Sequence, residues 1–150
     1  MQNEKILVVD DNPQNIQYLG SLLVEQEYEV GVAQNGVEAL DFIKQREPKL
    51  ILLDVMMPEM DGFELCTILK NNDHYSHIPI IFLTAKSETS DIVKGFEIGG
   101  VDYVTKPFIA AELLARIKTH MEITYLRTII PICSYCRKVR TDDGLWEKIE

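Results

Sequence analysis

Short apolar runs recur along the first two thirds of the chain. They lie at Ile6–Val9, Tyr28–Ala33, Leu50–Leu53, Ile78–Leu83 and Val101–Val104. Three of these runs are almost continuously hydrophobic, which is typical of strands that helices cover on both faces. The pattern therefore predicts five strands of a buried parallel sheet.

Amphipathic segments of helical length follow these runs. Apolar residues recur at spacings of three and four in Asn15–Gln26, Gly36–Arg46, Phe63–Asn71, Asp91–Ile98 and Ala111–Met121. Asn12 before Pro13, and Asp61 with Glu64, are typical starts for the first and third helices. Strict alternation of strands and helices predicts a doubly wound α/β domain.

The character of the sequence changes after Met121. We expect the fifth helix to continue through Ile123 as a linker and to end before Pro131, because proline cannot continue a helix. The residues beyond are too few for a core of their own. We therefore predict one domain at 1–122, and at 123–150 a linker helix followed by a largely unordered segment.

Composition narrows the class of protein. The hydrophobic fraction is 46% and the charged fraction 26%, which is ordinary for a soluble globular protein. A net charge of -9 argues against direct nucleic-acid binding, which needs clustered cations. No apolar run reaches the ~7–15 residues of a secretion signal or the ~20 of a membrane span. With three cysteines and no signal, a cytoplasmic location is predicted.

Reactive side chains stand where the predicted strands end. Ligands of open α/β sheets bind at the carboxyl ends of the strands, so Asp10, Asp11, Asp54, Thr84 and Lys106 should converge there. Three neighbouring carboxylates require a cation, and Mg²⁺ prefers oxygen ligands. The three aspartates are thus candidate Mg²⁺ ligands. Asp54, beside a hydroxyl and an ammonium group, is a plausible nucleophile toward phosphorus.

These residues also carry a family resemblance. The Asp10-Asp11 pair, the segment LLDVMMPEMDG around Asp54, Thr84 and the motif YVTKPF together resemble the receiver domain of two-component response regulators, over roughly residues 4–122. The resemblance implies a flavodoxin-like sheet with strand order 2-1-3-4-5. It also implies that Asp54 accepts a phosphoryl group from a sensor histidine kinase or a phosphotransfer protein.

The resemblance implies a ligand set for Mg²⁺. Asp11, Asp54 and the backbone carbonyl of Met56 would bind the ion, and Asp10 would act through water. These assignments come from the family pattern and not from the spacing of the residues.

Further roles are implied for the other site residues. Thr84 and Lys106 would contact the phosphoryl oxygens, and the bond between Lys106 and Pro107 would be cis. Tyr103 would rotate with Thr84 and change the surface made by the fourth helix, fifth strand and fifth helix. A plain core position for Tyr103 is the alternative.

The same surface could hold a homodimer. Asp102, Glu112 and Arg116 stand where some relatives form ion pairs between subunits. Ile92 occupies the place of an expected basic partner on the fourth helix. This departure weakens the prediction of a symmetric dimer.

Three other functions compete with this interpretation. A phosphohydrolase resembling haloacid dehalogenases would need a D-x-D motif at the first strand and room for a cap, whereas this chain has Asp10-Asp11-Asn12 there. A flavodoxin-like redox carrier would meet repulsion between those carboxylates and the flavin phosphate. A scaffold that keeps the fold without phosphorylation is the third alternative.

Histidines and cysteines elsewhere receive simpler interpretations. His74 and His77 are predicted to be surface loop residues with no carboxylate placed beside them, and Cys66 to be a buried small hydrophobe. Cys133 and Cys136 form half of a tetrahedral zinc site and lack a second pair. Their segment resembles a cysteine-containing module that follows receiver or sensory domains in some bacterial signalling proteins, and we expect it to be truncated here.

Overall fold

The protein is described by a computed structural model. It describes residues 4–85, 89–129, 138–140 and 146–148, with side chains for 4–85 and 91–123. The strands of the main sheet are β1 Lys5–Val9, β2 Glu29–Ala33, β3 Leu50–Asp54, β4 Ile80–Thr84 and β5 Asp102–Thr105. The helices are α1 Pro13–Glu25, α2 Gly36–Gln45, α3 Gly62–Lys70, α4 Thr89–Glu97 and α5 Ala110–Ile129.

The five strands are parallel and lie in the order β2-β1-β3-β4-β5. The predicted flavodoxin-like α/β fold is confirmed. Neighbouring strands end level with one another, since Asp54 pairs with Leu83 and Thr84 with Thr105. The carboxyl ends of β1, β3 and β4 therefore meet at one edge of the sheet.

Two apolar layers cover the sheet. Successive residues of a strand point to opposite faces, so Leu52 packs in the layer with α1 and α5, whereas Leu53 packs in the layer with α2 and α3. Every residue of β3 is buried for this reason, which explains its continuous hydrophobicity. Cys66 is buried as predicted, and burial raises the pKa of its thiol to about 11.

The helix starts follow the predicted caps. The Asn12 side chain accepts a hydrogen bond from the Gln14 amide at 2.9 Å, and the Asp61 side chain accepts one from the Glu64 amide at 2.8 Å. Each cap satisfies an amide that the first turn of a helix leaves without a partner. The caps fix where the chain enters α1 and α3 beside the ends of β1 and β3.

The chain after Met121 differs in part from the prediction. Helix α5 continues to Ile129, as expected for the linker. Residues Lys138–Arg140 and Trp146–Lys148 form an antiparallel pair of strands, β6 and β7, which the sequence pattern did not predict. Three-residue strands are too short to show an alternating pattern.

Two predictions on the tail cannot be compared with the fold. Pro131, Cys133 and Cys136 lie outside the described residues. Within the described helices, none has both the length and the apolar character that crossing a bilayer requires.

Candidate functional site

Polar side chains are buried at the carboxyl edge of the sheet. Asp10 follows β1, Asp54 ends β3 and Thr84 ends β4, with 0%, 3% and 8% of their surfaces exposed. Buried carboxylates are costly unless they have partners. Their burial at adjacent strand ends therefore indicates a built site.

Three carboxylates form a group that fits a divalent cation. One oxygen each of Asp10, Asp11 and Asp54 lies within 4.8 Å of the other two. Two of these residues are buried and Asp11 is exposed, so the group has a rigid inner side and an outer side open to water. Hard oxygen donors with room for retained waters suit Mg²⁺. The predicted metal ligands are thus brought together, and their donor set fits the ion.

Lys106 reaches two of these carboxylates from the loop after β5. Its Nζ lies 3.3 Å from Asp10 Oδ2 and 3.2 Å from Asp54 Oδ1. The Lys106–Pro107 bond is cis, as the family resemblance implied. The predicted ammonium group is therefore in contact with the candidate nucleophile.

The protonation of Asp54 reflects this crowding. Burial of the carboxyl group, with the nearby Asp10 carboxylate, raises the pKa of Asp54 to about 7, although Lys106 acts in the opposite direction. A second cation in the group would favour the ionised form. Asp54 is thus a carboxylate whose charge depends on what binds beside it.

Thr84 and Tyr103 line one cleft. The cleft lies between α4 and strands β4 and β5, and Phe82 and Phe96 also line it. Tyr103 is half-buried, and its ring meets Phe96 edge-on at 6.2 Å between centroids. The residues of the predicted switch therefore share one space on the side of the sheet covered by α4.

The decisive comparison concerns the family. The sequence pattern of the response regulator receiver domain matches residues 6–118, which include the aspartates, Thr84 and Lys106. The chain belongs to the response regulator receiver family. This membership decides against the dehalogenase-like and flavodoxin-like alternatives.

Individual relatives agree with this receiver assignment. A Bacillus subtilis protein, "Transcriptional regulatory protein YvrH", is 42% identical over 126 residues, covering 83% of this chain and 52% of the relative. A Vibrio cholerae protein, "Probable cyclic di-GMP phosphodiesterase", is 45% identical over 117 residues, covering 78% of this chain and 26% of the relative. The chain thus spans about a quarter to a half of the length of these curated relatives.

A solved structure matches over almost its whole length. The Francisella response regulator 1452 receiver domain has a TM-score of 0.76 and 34% identity to this chain. The match covers 81% of this chain and 99% of that structure. The shared part is thus the receiver fold.

Asn15 is a site residue of this receiver that sequence reasoning missed. Its Nδ2 donates to Asp10 Oδ2 at 3.1 Å, and the Asn12 amide donates to Asp10 Oδ1 at 2.9 Å. Both carboxylate oxygens of Asp10 are therefore fixed. The available signal was the position of Asn15 in the first turn of the helix that follows Asp10.

Gly62 is the second residue that was missed. A β-carbon there would lie 2.3 Å from the Asp54 carbonyl oxygen and 2.9 Å from Val55 Cα. The Gly62 amide donates to the Val55 carbonyl at 2.9 Å. Only glycine lets α3 start this close to the backbone of the receiver's central aspartate.

Met56 lies beside Asp54 with its side chain directed to solvent. Its amide is 3.3 Å from Asp54 Oδ1, and 68% of the residue surface is exposed. The backbone of Met56 therefore lies next to the Asp54 carboxylate, while its side chain is largely exposed to solvent.

Charged residues of β5 and α5 pair within the receiver itself. Arg116 Nη1 lies 2.6 Å from Asp102 Oδ1, and Arg116 Nε lies 3.3 Å from Glu112 Oε1. His120 Nε2 is 3.1 Å from Asp102 Oδ2. The three residues predicted to form ion pairs between subunits thus have partners in their own chain.

Proposed function

We propose that this chain is the receiver of a two-component response regulator and that Asp54 is its phosphoacceptor. The donor is the phosphohistidine of a sensor histidine kinase or of a phosphotransfer protein. The observation that carries the proposal is the buried Asp54 carboxylate, held by β3 at the sheet edge between Asp10 and Lys106.

The transfer is a displacement at phosphorus. An Asp54 carboxylate oxygen attacks the phosphorus atom, a P–O bond forms, and the P–N bond of the donor breaks. The electron pair stays with the departing imidazole, which takes a proton from solvent. Lys106 lies 3.2 Å from the attacking carboxylate, close enough to hold a phosphoryl oxygen, and the Thr84 hydroxyl can donate to another.

A metal ion completes this proposal. Asp11, Asp54 and the Met56 carbonyl would hold Mg²⁺, with Asp10 acting through water. When bound, Mg²⁺ offsets the negative charge on the phosphoryl oxygens. Asn15 and the Asn12 amide keep Asp10 oriented toward this position.

The same residues would let the domain phosphorylate itself from a small donor and lose the group again. In the loss, water attacks phosphorus, the P–O bond to Asp54 breaks, and the carboxylate and inorganic phosphate separate. We therefore propose a signalling domain that turns over only its own phosphoryl group, rather than an enzyme acting on an external substrate.

The output surface is proposed to be α4, β5 and α5. A phosphoryl group on Asp54 interacts differently with the two positions of the Thr84 hydroxyl, and only such a difference can shift the equilibrium. Tyr103 shares the cleft with Thr84 and would follow it. The resulting change would reach Phe96, which is half-exposed on α4.

A homodimer through this surface is proposed for the phosphorylated form. Its ion pairs would require Asp102 and Arg116 to exchange their partner within the chain for one in a second copy. Ile92 offers no charge for a further pair. Sedimentation with beryllofluoride, a phosphoryl mimic, should show a dimer that is absent without it; a monomer under both conditions contradicts the dimer and leaves the receiver proposal intact.

We further propose that 1–122 acts as the receiver and 123–150 as a linker helix with a partial C-x-x-C segment, in a cytoplasmic protein. Helix α5 supports the linker, since it continues to Ile129 beyond the region that matches the family.

The central test is labelling with radioactive acetyl phosphate in Mg²⁺. Wild type should take up about one phosphoryl group per chain, and Asp54→Asn should take up none. Asp61→Asn is a matched control, because it changes a carboxylate at the nearby α3 cap and asparagine also caps helices. Label that persists in Asp54→Asn contradicts the assignment, and an unlabelled wild type favours the scaffold alternative.

A further inference from the structure

A second cluster of histidine and glutamate side chains lies at the opposite edge of the sheet. Glu47 precedes β3, and His74 and His77 lie in the connection between α3 and β4. His77 Nε2 is 2.7 Å from Glu47 Oε1, and His74 Nε2 is 3.6 Å from Glu47 Oε2. The prediction that no carboxylate stands beside these histidines is therefore wrong.

The backbone that carries both histidines is firmly held. The amides of Tyr75 and Ser76 donate to the Asn72 carbonyl, and the His74 amide donates to the Asn72 side chain at 2.8 Å. Lys70 Nζ donates to the Ser76 carbonyl at 3.0 Å. The two histidines are thus fixed in backbone position on one side of the turn.

The imidazoles themselves are accessible. The side chains of His74 and His77 are 74% and 60% exposed, and that of Glu47 is 35% exposed. Tyr75, between the histidines, instead packs against the core. A rigid turn that presents two exposed imidazoles to one carboxylate can bind an ion from solvent with little change in the fold.

We propose that Glu47, His74 and His77 form a surface site for a divalent transition metal such as Zn²⁺. Imidazole nitrogen and carboxylate oxygen bind zinc at ~2.0–2.2 Å, which puts neighbouring ligand atoms of a tetrahedral site roughly 3.3–3.6 Å apart. The distance between His74 Nε2 and Glu47 Oε2, 3.6 Å, matches that spacing, whereas the direct contact between His77 Nε2 and Glu47 Oε1, 2.7 Å, would lengthen when an ion enters. The negative charge of the Glu47 carboxylate also stabilises a bound cation more than a neutral third ligand would.

Closure of the site needs a side-chain rotation. Among the described residues, three ligand atoms already within 4.8 Å of one another occur in the group Asp10, Asp11 and Asp54. The three ligand atoms of Glu47, His74 and His77 do not all lie within that distance of one another. Because both imidazoles are exposed, they can rotate to bring the ligand atoms together. Nitrogen ligands select zinc, nickel or copper over magnesium, so the two sites differ in preferred ion.

The proposed site is remote from the phosphoacceptor. The proposed site lies before the start of β4 at Ile80, and Thr84 lies four residues further along that strand, which corresponds to about 13 Å. Metal binding there would join the loop before β3 to the loop before β4. The zinc proposal makes no assumption about phosphorylation. Either proposal can therefore fail without the other.

Calorimetric titration with Zn²⁺ at pH 7.5 tests the proposal. The full chain carries Cys133→Ser and Cys136→Ser to remove competing thiolates, and excess Mg²⁺ occupies the carboxylate site. We expect one Zn²⁺ per chain, bound on the order of tenfold or more weakly after Glu47→Gln or His77→Ala, since each removes one of three ligands. Glu25→Gln, at an exposed glutamate at the end of α1, is the matched control and should bind as wild type does.

A second readout separates loss of binding from loss of folding. Zinc that binds only the folded chain should raise the urea concentration at the unfolding midpoint. This rise is expected for the chain with Cys133→Ser and Cys136→Ser and for the same chain with Glu25→Gln, but not for the same chain with Glu47→Gln. Absence of stoichiometric binding overturns the proposal. Unchanged zinc affinity in both Glu47→Gln and His77→Ala also overturns it.

Discussion

Adding one methyl group at Gly62 should disturb both the stability and the chemistry of the domain. The new β-carbon would lie 2.3 Å from the Asp54 carbonyl oxygen, whereas an ordinary contact of this kind needs ~3.4 Å or more. The opposing atoms are backbone atoms of a fully buried strand and cannot rotate away. The start of α3 and the end of β3 must therefore separate by about 1 Å.

The size of the effect follows from two opposing contributions. Overpacking of this kind costs roughly 1–3 kcal/mol, and replacing glycine by alanine in a helix returns at most ~1 kcal/mol. We expect Gly62→Ala to lower the free energy of unfolding by about 1–2 kcal/mol. Since the displaced atoms belong to Asp54, phosphorylation should also slow.

Gly20→Ala provides the matched control in α1. Nothing lies within 4 Å of a β-carbon there, so only the helical preference for alanine remains. This variant should gain about 0.5–1 kcal/mol and phosphorylate normally. Urea unfolding of both variants and of wild type, with labelling by acetyl phosphate, measures the contrast.

The reasoning fails if Gly62→Ala is as stable as wild type and is labelled at the same rate. It also fails if the two alanine variants change stability in the same direction, because then the close approach at Gly62 is not what distinguishes them.

Three further predictions concern the carboxylate site. Because the pKa of Asp54 is about 7 in the folded chain and 3.8 without the surrounding fold, the folded chain holds a proton that the unfolded chain releases, and the stability that this residue contributes is present below pH 4 and lost as pH rises through 7. In EDTA, the free energy of urea unfolding of Asp54→Asn should therefore rise relative to that of wild type from pH 4 to 8. A difference that stays constant over this range contradicts the prediction. Asp10→Asn with Asp11→Asn should abolish Mg²⁺ binding in a fluorescence or calorimetric titration, so an unchanged curve counts against the proposed ligands. Met56→Asn should hasten loss of the phosphoryl group, since the exposed Met56 side chain offers no polar atom to align water; a longer phosphoryl lifetime in the variant would refute this.

The sheet was predictable because its strands are covered on both faces. Leu52 and Leu53 point to opposite layers and both are buried, so burial alone made the run continuously apolar. The convergence of Asp10, Asp54 and Thr84 then followed from parallel strands that end at one edge. Strand β4 begins at Ile80 rather than Ile78, since Pro79 has no amide hydrogen to join the ladder.

Contacts between distant loops were beyond prediction. Glu47 meets His77 only because β3 and β4 are neighbours with a particular register, and nothing near either residue marks the pairing. Gly62 looked like an ordinary residue after a cap, and its need for a missing β-carbon depends on where the Asp54 carbonyl lies in space. The sequence pattern marked Asp102 only as a position used for ion pairs between subunits in some relatives, and did not indicate that Arg116 of the same chain contacts it.

Helix α5 determines the direction in which the residues after the receiver domain leave it. It is anchored in the core by Leu113 and Ile117 and continues without interruption to Ile129. Each added or deleted residue in a helix turns its distal end by ~100° and moves it by 1.5 Å. Changing the length after Met121 by one or two residues would therefore point an attached segment in a different direction, whereas a change of seven residues would nearly restore it. The length of this helix, and not only its composition, thus determines the direction of the residues that follow it.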